Sequence, residues 1–178
     1  MATETQEMVN LVDADGRVVG TESREVVRRD NLRHASTAVL VRNSAGEIFV
    51  HLRAATKDWA PSHHDCCAGG VIQAGEDPRE SAVRELAEEL GITSATLTAL
   101  GTSLYEDDTT RCFEHVFETT WDGPLVYADH EVVSGEWLTL DRLAARLADP
   151  SWPFVPDSRK LLAGLAARGV HDYARLAG

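Results

Sequence analysis

The stretch Gly69–Ile92, GGVIQAGEDPRESAVRELAEELGI, decides how the rest of the chain is read. It opens as a glycine-bearing loop and runs into a short helix. Asp77 is a good N-cap, Pro78 suits the first helical position, and Glu80 completes an Asp-x-x-Glu capping box. Gly91 supplies the stop, so a helix is predicted over 78–90. Ala82, Val83, Leu86, Ala87 and Leu90 fall on one stripe and should face the core. Glu85, Glu88 and Glu89 line a different, strongly anionic face, and Arg84 sits four residues before Glu88, within pairing reach.

Three carboxylates at i, i+3 and i+4 share one arc of ~100° on a helix surface. By charge alone this reads as a solvated acidic face. As ligands, they form an oxygen-only set of the kind that suits Mg²⁺ or Mn²⁺. Such ions bridge protein carboxylates to the oxygens of a diphosphate and neutralise charge that develops during displacement. One carboxylate of the set, or one carried in from another element, could orient or deprotonate an attacking water. The Gly69-Gly70 pair would let the backbone approach metal or phosphate closely.

The whole chain sets limits on that chemistry. At 178 residues it suits one domain with a sizeable core, and 43% hydrophobic with 26% charged residues is an ordinary globular composition. A net charge of −12 argues against a surface for nucleic-acid polymers. It does not exclude a nucleotide bridged by metal. Cys66, Cys67 and Cys112 are an odd set with no framework spacing, which points to a reducing compartment. The start, MATETQEMVN, is polar and acidic rather than a leader, and no apolar run reaches ~18 residues. A cytoplasmic protein with no membrane association is expected.

Along the chain, residues 1–7 read as a frayed end. Met8–Val12 and Arg17–Thr21 flank an Asp-Ala-Asp-Gly turn, giving an N-terminal hairpin, and Ser23 is placed to cap a turn or two of helix to Arg29. Residues 35–41 and 47–52 flank Asn43–Gly46 and read as a second hairpin in the central sheet. A loop is expected over 53–65 and a short apolar run over 66–72. Strands are expected over 96–104 and 111–120, separated by an acidic loop. The second alternates, with Phe113, His115 and Phe117 on one face and Cys112, Glu114, Val116 and Glu118 on the other. A last strand begins at Gly135, and helices start at Asp141 and Asp157.

Measured back from the helix, the pattern is Gly70, five residues, Glu76, seven residues, then Arg84-Glu85-Leu86-Ala87-Glu88-Glu89-Leu90-Gly91-Ile92. This resembles the Nudix box at every specified position, a match that chance gives on the order of once in a million such chains. The resemblance implies an α/β Nudix fold: a mixed β-sheet sandwiched between helices, with an N-terminal β-hairpin, in one domain over 1–178 with its core at about 8–170. It implies a divalent-metal-dependent hydrolase of phosphoric anhydride bonds in nucleoside diphosphate derivatives. Glu85, Glu88 and Glu89 would be the metal ligands, joined by the Gly69 carbonyl. Arg84 would orient the carboxylates, Glu76 would support the loop–helix junction, and Gly70 and Gly91 would be structural. Members often recruit a further acid from outside the box. Glu114 is the candidate here, with Glu118, Glu106 and Asp107 as rivals.

Outside the box, Leu32-Arg33-His34-Ala35, Leu52-Arg53-Ala54 and Lys57-Asp58-Trp59-Ala60-Pro61 resemble bacterial Nudix hydrolases related to isopentenyl-diphosphate isomerase. An isomerase-like activity is the alternative function, and a catalytically silent nucleotide-binding module is a third. The isomerases have a Cys-x-His-Pro-like segment before the helix, where this chain has Ala68-Gly69-Gly70-Val71. Arg53 and Lys57 could meet substrate phosphates, and Trp59 or Tyr105 could stack on a base. His63 and His64 beside Cys66 and Cys67 do not make a closed zinc set and read first as loop surface. A homodimer through the N-terminal hairpin follows from family analogy. The substrate itself is not written in the box.

Overall fold

The computed structural model describes residues 7–177. Met8–Val12 (β1) and Val18–Ser23 (β2) form the expected antiparallel hairpin. Its turn is held by the Asp13 carboxylate, which accepts the N–H groups of Asp15 and Arg17, each at 2.9 Å. Ser23 caps Arg24–Arg29 (α1), its hydroxyl accepting the Val26 N–H. Of the expected frayed end, residues 1–6 lie outside the described residues. Glu7 does not fray: its carbonyl accepts the Arg24 N–H and its carboxylate meets the Arg24 guanidinium at 3.0 Å.

His34–Arg42 (β3) is buried along its whole length, which only a strand covered on both faces can be. Ile48–Arg53 (β4) follows across the turn Asn43–Gly46. The hairpin expected here is corrected. The two strands meet in one residue pair, Arg42 with Ile48, and then part. Both flanks of β3 are taken by other strands, so no room is left for β4 along its length. His64–Asp65 (β5) and Cys67–Ala68 (β6) are short, and β6 runs antiparallel to β3. Residues 64 and 65, expected as loop, pair with β4 instead.

Pro78–Leu90 (α2) has the predicted bounds. The capping box at Asp77 and Glu80 is complete, and Gly91 ends the helix with φ +69°. Thr98–Glu106 (β7) and Arg111–Thr120 (β8) form a hairpin, and β8 then lies parallel to β3 from His34–Cys112 to Arg42–Thr120. Val132–Leu138 (β9) begins three residues before the expected start and pairs with β4. Leu140–Leu147 (α3), Pro156–Ala167 (α4) and a 3-10 helix, His171–Leu176, close the chain.

Two apolar layers result. Val39, Val41, Ala68 and Phe117 face Ala82, Leu86 and Leu90 of α2. Ala38, Leu40, Cys67 and Val116 face Leu143 of α3, Leu161, Leu162 and Leu165 of α4, and Tyr173. This is the sandwich of helices about a mixed sheet. The hydrophobic core takes in Tyr173, which is fully buried.

Candidate active site

On α2 the stripe is shifted from the one periodicity suggests. Val83 is exposed, while Glu85 and Glu89 are buried at 8% and 2% exposure. Of the three glutamates only Glu88 projects into solvent, so the expected open anionic face is corrected to a tucked one. The cause is the Gly69-Gly70 strip beneath. A Cβ at Gly70 would stand 2.6 Å from Oε1 of Glu85, and the Gly69 N–H donates to Oε2 of Glu89 at 3.2 Å. The missing Gly70 side chain makes the space the Glu85 carboxylate fills, and the Gly69 N–H holds the Glu89 carboxylate.

Arg84 organises this array. Nε and Nη2 grip the two oxygens of Glu76 at 2.8 and 3.0 Å, a bidentate pair. Nη1 donates to Glu85 at 2.7 Å and to Glu88 at 3.2 Å. Burial pushes Glu76 up, but the Arg84 hydrogen bonds and charge outweigh it and hold this carboxyl below its usual range. Burial also pushes Glu85 up, with Arg84 offsetting only part of the rise. Glu89 is pushed up to about 8, chiefly by burial, while the Lys57 ammonium opposes the shift. Lys57 Nζ lies 3.5 Å from Glu89 and also pairs with Glu131.

Glu114 stands elsewhere. Along β8 it shares a face with Val116, which packs toward α4, whereas Phe117 packs toward α2. Its carboxylate therefore lies across the sheet from α2, in a pocket with Asp157 at the start of α4. Lys57 and Arg53 line the same pocket, with Arg24 and Arg28 from α1. Arg53 also braces the loop after β4: its guanidinium donates to the carbonyls of Trp59 and Ala60 at 2.8 and 3.2 Å. The structure thus brings Arg84, Glu76, Glu85, Glu88, Glu89, Gly69, Gly70 and Lys57 together, and sets Glu114 and Arg53 across the strip from the α2 array. Arg24, Arg28 and Asp157 were not singled out from sequence as site residues. Each looked like an ordinary helix-terminal charge, and nothing local signals that distant elements converge on them.

The model of the NUDIX domain matches residues 32–158, most of the chain and all of this site but Arg24 and Arg28. The chain belongs to the Nudix hydrolase family. This Nudix hydrolase is 43% identical over 167 residues to the Nudix hydrolase orf19 of Rhodococcus erythropolis, a match spanning 88% of this chain and 90% of that one. It is 38% identical over 168 residues to the Nudix hydrolase YfcD of Escherichia coli K12, spanning 94% and 91%. Among solved structures it is similar to DR0079 of Deinococcus radiodurans, with a TM-score of 0.73 and 28% identity over 87% of this chain and 96% of that one. The intact box and the hydrolase relatives agree on the reaction class, and the expected fold stands.

Proposed function

We propose that this Nudix hydrolase splits a diphosphate linkage in a nucleoside di- or triphosphate or a nucleotide conjugate, by attack of water on phosphorus, with Mg²⁺ or Mn²⁺ as cofactor. Glu85, Glu88 and Glu89, with the Gly69 carbonyl, are the groups that would hold the cation. The observation that carries this reading is the glycine cradle, in which two carboxylates are buried against Gly69 and Gly70. Burying such charge is costly unless counter-charge joins it, and Arg84 and Lys57 supply part of what is needed. All the donors are oxygen, the chemistry hard divalent ions prefer. When bound, the cation would bridge carboxylates to phosphate and neutralise the leaving group.

The protein's own groups do the rest. Arg84, fixed by its fork to Glu76, sets the directions of Glu85 and Glu88. Arg53, Lys57, Arg24 and Arg28 are the cations the pocket offers to phosphates, each held by a carboxylate: Asp65 beside Arg53, Glu89 and Glu131 beside Lys57, and Asp58 beside both arginines of α1. The chain's net charge of −12 supports a small-molecule partner over a nucleic-acid polymer, and three free cysteines support a reducing, cytoplasmic setting. None of the described helices is long and apolar enough to cross a membrane. A homodimer through the N-terminal hairpin is supported by Val18 and Val19, exposed on β2, and sedimentation equilibrium would read its mass directly.

The test is a panel of nucleoside di- and triphosphates, nucleotide sugars, dinucleotides, coenzyme A and isopentenyl diphosphate, each with Mg²⁺ or Mn²⁺. Phosphate or nucleoside monophosphate should be released, and Glu89→Gln should abolish the divalent-dependent part with the melting temperature little changed. Full turnover by that variant would end the assignment. Isomerised product without release would favour the isomerase, and binding without product a regulatory module.

A further inference from the structure

On the far side of the sheet from α2, the pocket floor carries a second cluster of ligand-type groups. Cys112, Glu114 and Asp157 each offer one atom, and these three atoms lie within 4.8 Å of one another. Cys112 and Glu114 come from alternate positions of β8, and Asp157 from the first turn of α4. They belong to the same face because β8 alternates, and α4 caps that face. Cys112 and Glu114 are each 4% exposed, while Asp157 opens onto the pocket.

A cluster of acids can be mere surface, but this one has an unpaid valence. Glu114 is 96% buried by the same measure, and its Oε2 has no hydrogen-bond partner. The Ser36 hydroxyl, opposite Glu114 in the β3–β8 register, is also buried and without a partner. An orphaned carboxylate oxygen at that depth calls for a cation or a donor. Asp65, close by, is already satisfied: its Oδ1 accepts from Ser158 at 2.6 Å and from the Cys67 N–H at 3.0 Å, and Arg53 stands 3.5 Å from Oδ2. Its carboxylate is therefore not available as a ligand.

We propose that Cys112, Glu114 and Asp157 bind a second metal ion, of the zinc class, separate from the ions of the α2 glutamates. Two carboxylate oxygens with one sulfur suit a borderline ion such as Zn²⁺ rather than Mg²⁺ or Ca²⁺. At tetrahedral angles, zinc–oxygen and zinc–sulfur distances of ~2.1 and ~2.3 Å put ligand atoms ~3.4–3.6 Å apart, so atoms now within 4.8 Å of one another draw together by up to about 1.3 Å around the ion. Three protein ligands leave a coordination position facing the pocket, beside the cations that line it. On binding, the Cys112 thiol releases its proton to solvent and the sulfur coordinates as thiolate.

Metal alone tests this, with no substrate present. Full-length protein freed of metal and titrated with Co²⁺ should develop a near-ultraviolet sulfur-to-cobalt charge-transfer band saturating at one equivalent, and Zn²⁺ should displace it. Glu85→Gln/Glu89→Gln should keep the band, Cys112→Ser should lose it, and Asp157→Asn should weaken Co²⁺ binding at least tenfold. Circular dichroism confirms that each variant is folded, and the Asp157 variant keeps the test open if Cys112→Ser is not. The proposal is overturned if wild type shows no band, if the band survives Cys112→Ser, or if it vanishes with Cys67→Ser alone. It is equally overturned if Asp157→Asn binds Co²⁺ as wild type does, which would mean that the two carboxyls share a proton instead. Loss of turnover in the α2 variant bears on the diphosphate reading and leaves this result untouched.

Discussion

Adjacent glycines carry different burdens. At Gly69 a Cβ would sit 2.0 Å from the Thr37 carbonyl oxygen, backbone that cannot move aside. At Gly70 it would meet the end of the Glu85 side chain, which can. Gly69→Ala should therefore cost on the order of 1–3 kcal/mol in urea unfolding, or more. Gly70→Ala should unfold nearly as wild type does but lose at least tenfold in turnover, because Glu85 is displaced; equal effects in both assays at both positions would refute the distinction. Two buried histidines weaken the folded chain in acid. Burial holds His51 and His34 each at about 4, against 6.5 for a free imidazole. The unfolded chain takes up these two protons first as pH falls, so the histidine contribution is full above pH 6.5 and is lost toward pH 4, opposed by Glu89, whose raised carboxyl takes up its proton first in the folded chain. Each contributes a slope of about 1.4 kcal/mol per pH unit in that window. Measured at pH 7, 5.5 and 4.5, the difference in unfolding free energy between wild type and His51→Gln should change by about 1.4 kcal/mol per pH unit, the wild type losing ground as pH falls. An unchanged slope in that variant would rule His51 out.

Among the elements, α2 was the most legible, because its determinants are local. Asp77, Pro78, Glu80 and Gly91 act on their own backbone neighbours, and the helix has the bounds they dictate. Asp77→Ala removes the bond to the Arg79 N–H, 2.8 Å long, and should cost about 1 kcal/mol with turnover per folded molecule unchanged. A matching fall in turnover would mean that the cap reaches the glutamates. What the helix buries was less legible. Periodicity assigned Val83 inward and Glu89 outward, and the structure reverses both. Periodicity presumes an apolar floor, whereas here Gly70 leaves room for the Glu85 carboxylate and the Gly69 N–H holds that of Glu89. On β8 the two faces were read correctly, yet their shared burial follows from layers contributed by chain far away.

At the scale of the molecule, the non-local pairings escaped the sequence. The second hairpin failed because a turn signal says that two strands meet, not how far they remain together. The 3-10 turn His171–Leu176 has no helical stripe long enough to read, yet it seals the sheet. Tyr173 is fully buried, its hydroxyl donates to Glu118 at 2.6 Å, and the Arg42 guanidinium lies 5.2 Å from its ring centre. Tyr173→Ala should cost about 3–5 kcal/mol by urea unfolding, and a chain ended at residue 170 should be recovered mainly as aggregate. A soluble shortened chain with native stability would place the boundary at 170. The parallel pairing of β3 with β8 has a consequence for synthesis. Roughly 70 residues separate Arg42 from Arg111, so at ribosomal speed β3 waits roughly 4–14 s for its long partner. During that interval a strand that ends up buried along its whole length has only short neighbours, and a bare edge is a template for other nascent chains. Slow translation should therefore harm the yield of this protein more than slow folding does, and the region to watch is the sheet's centre rather than its rim.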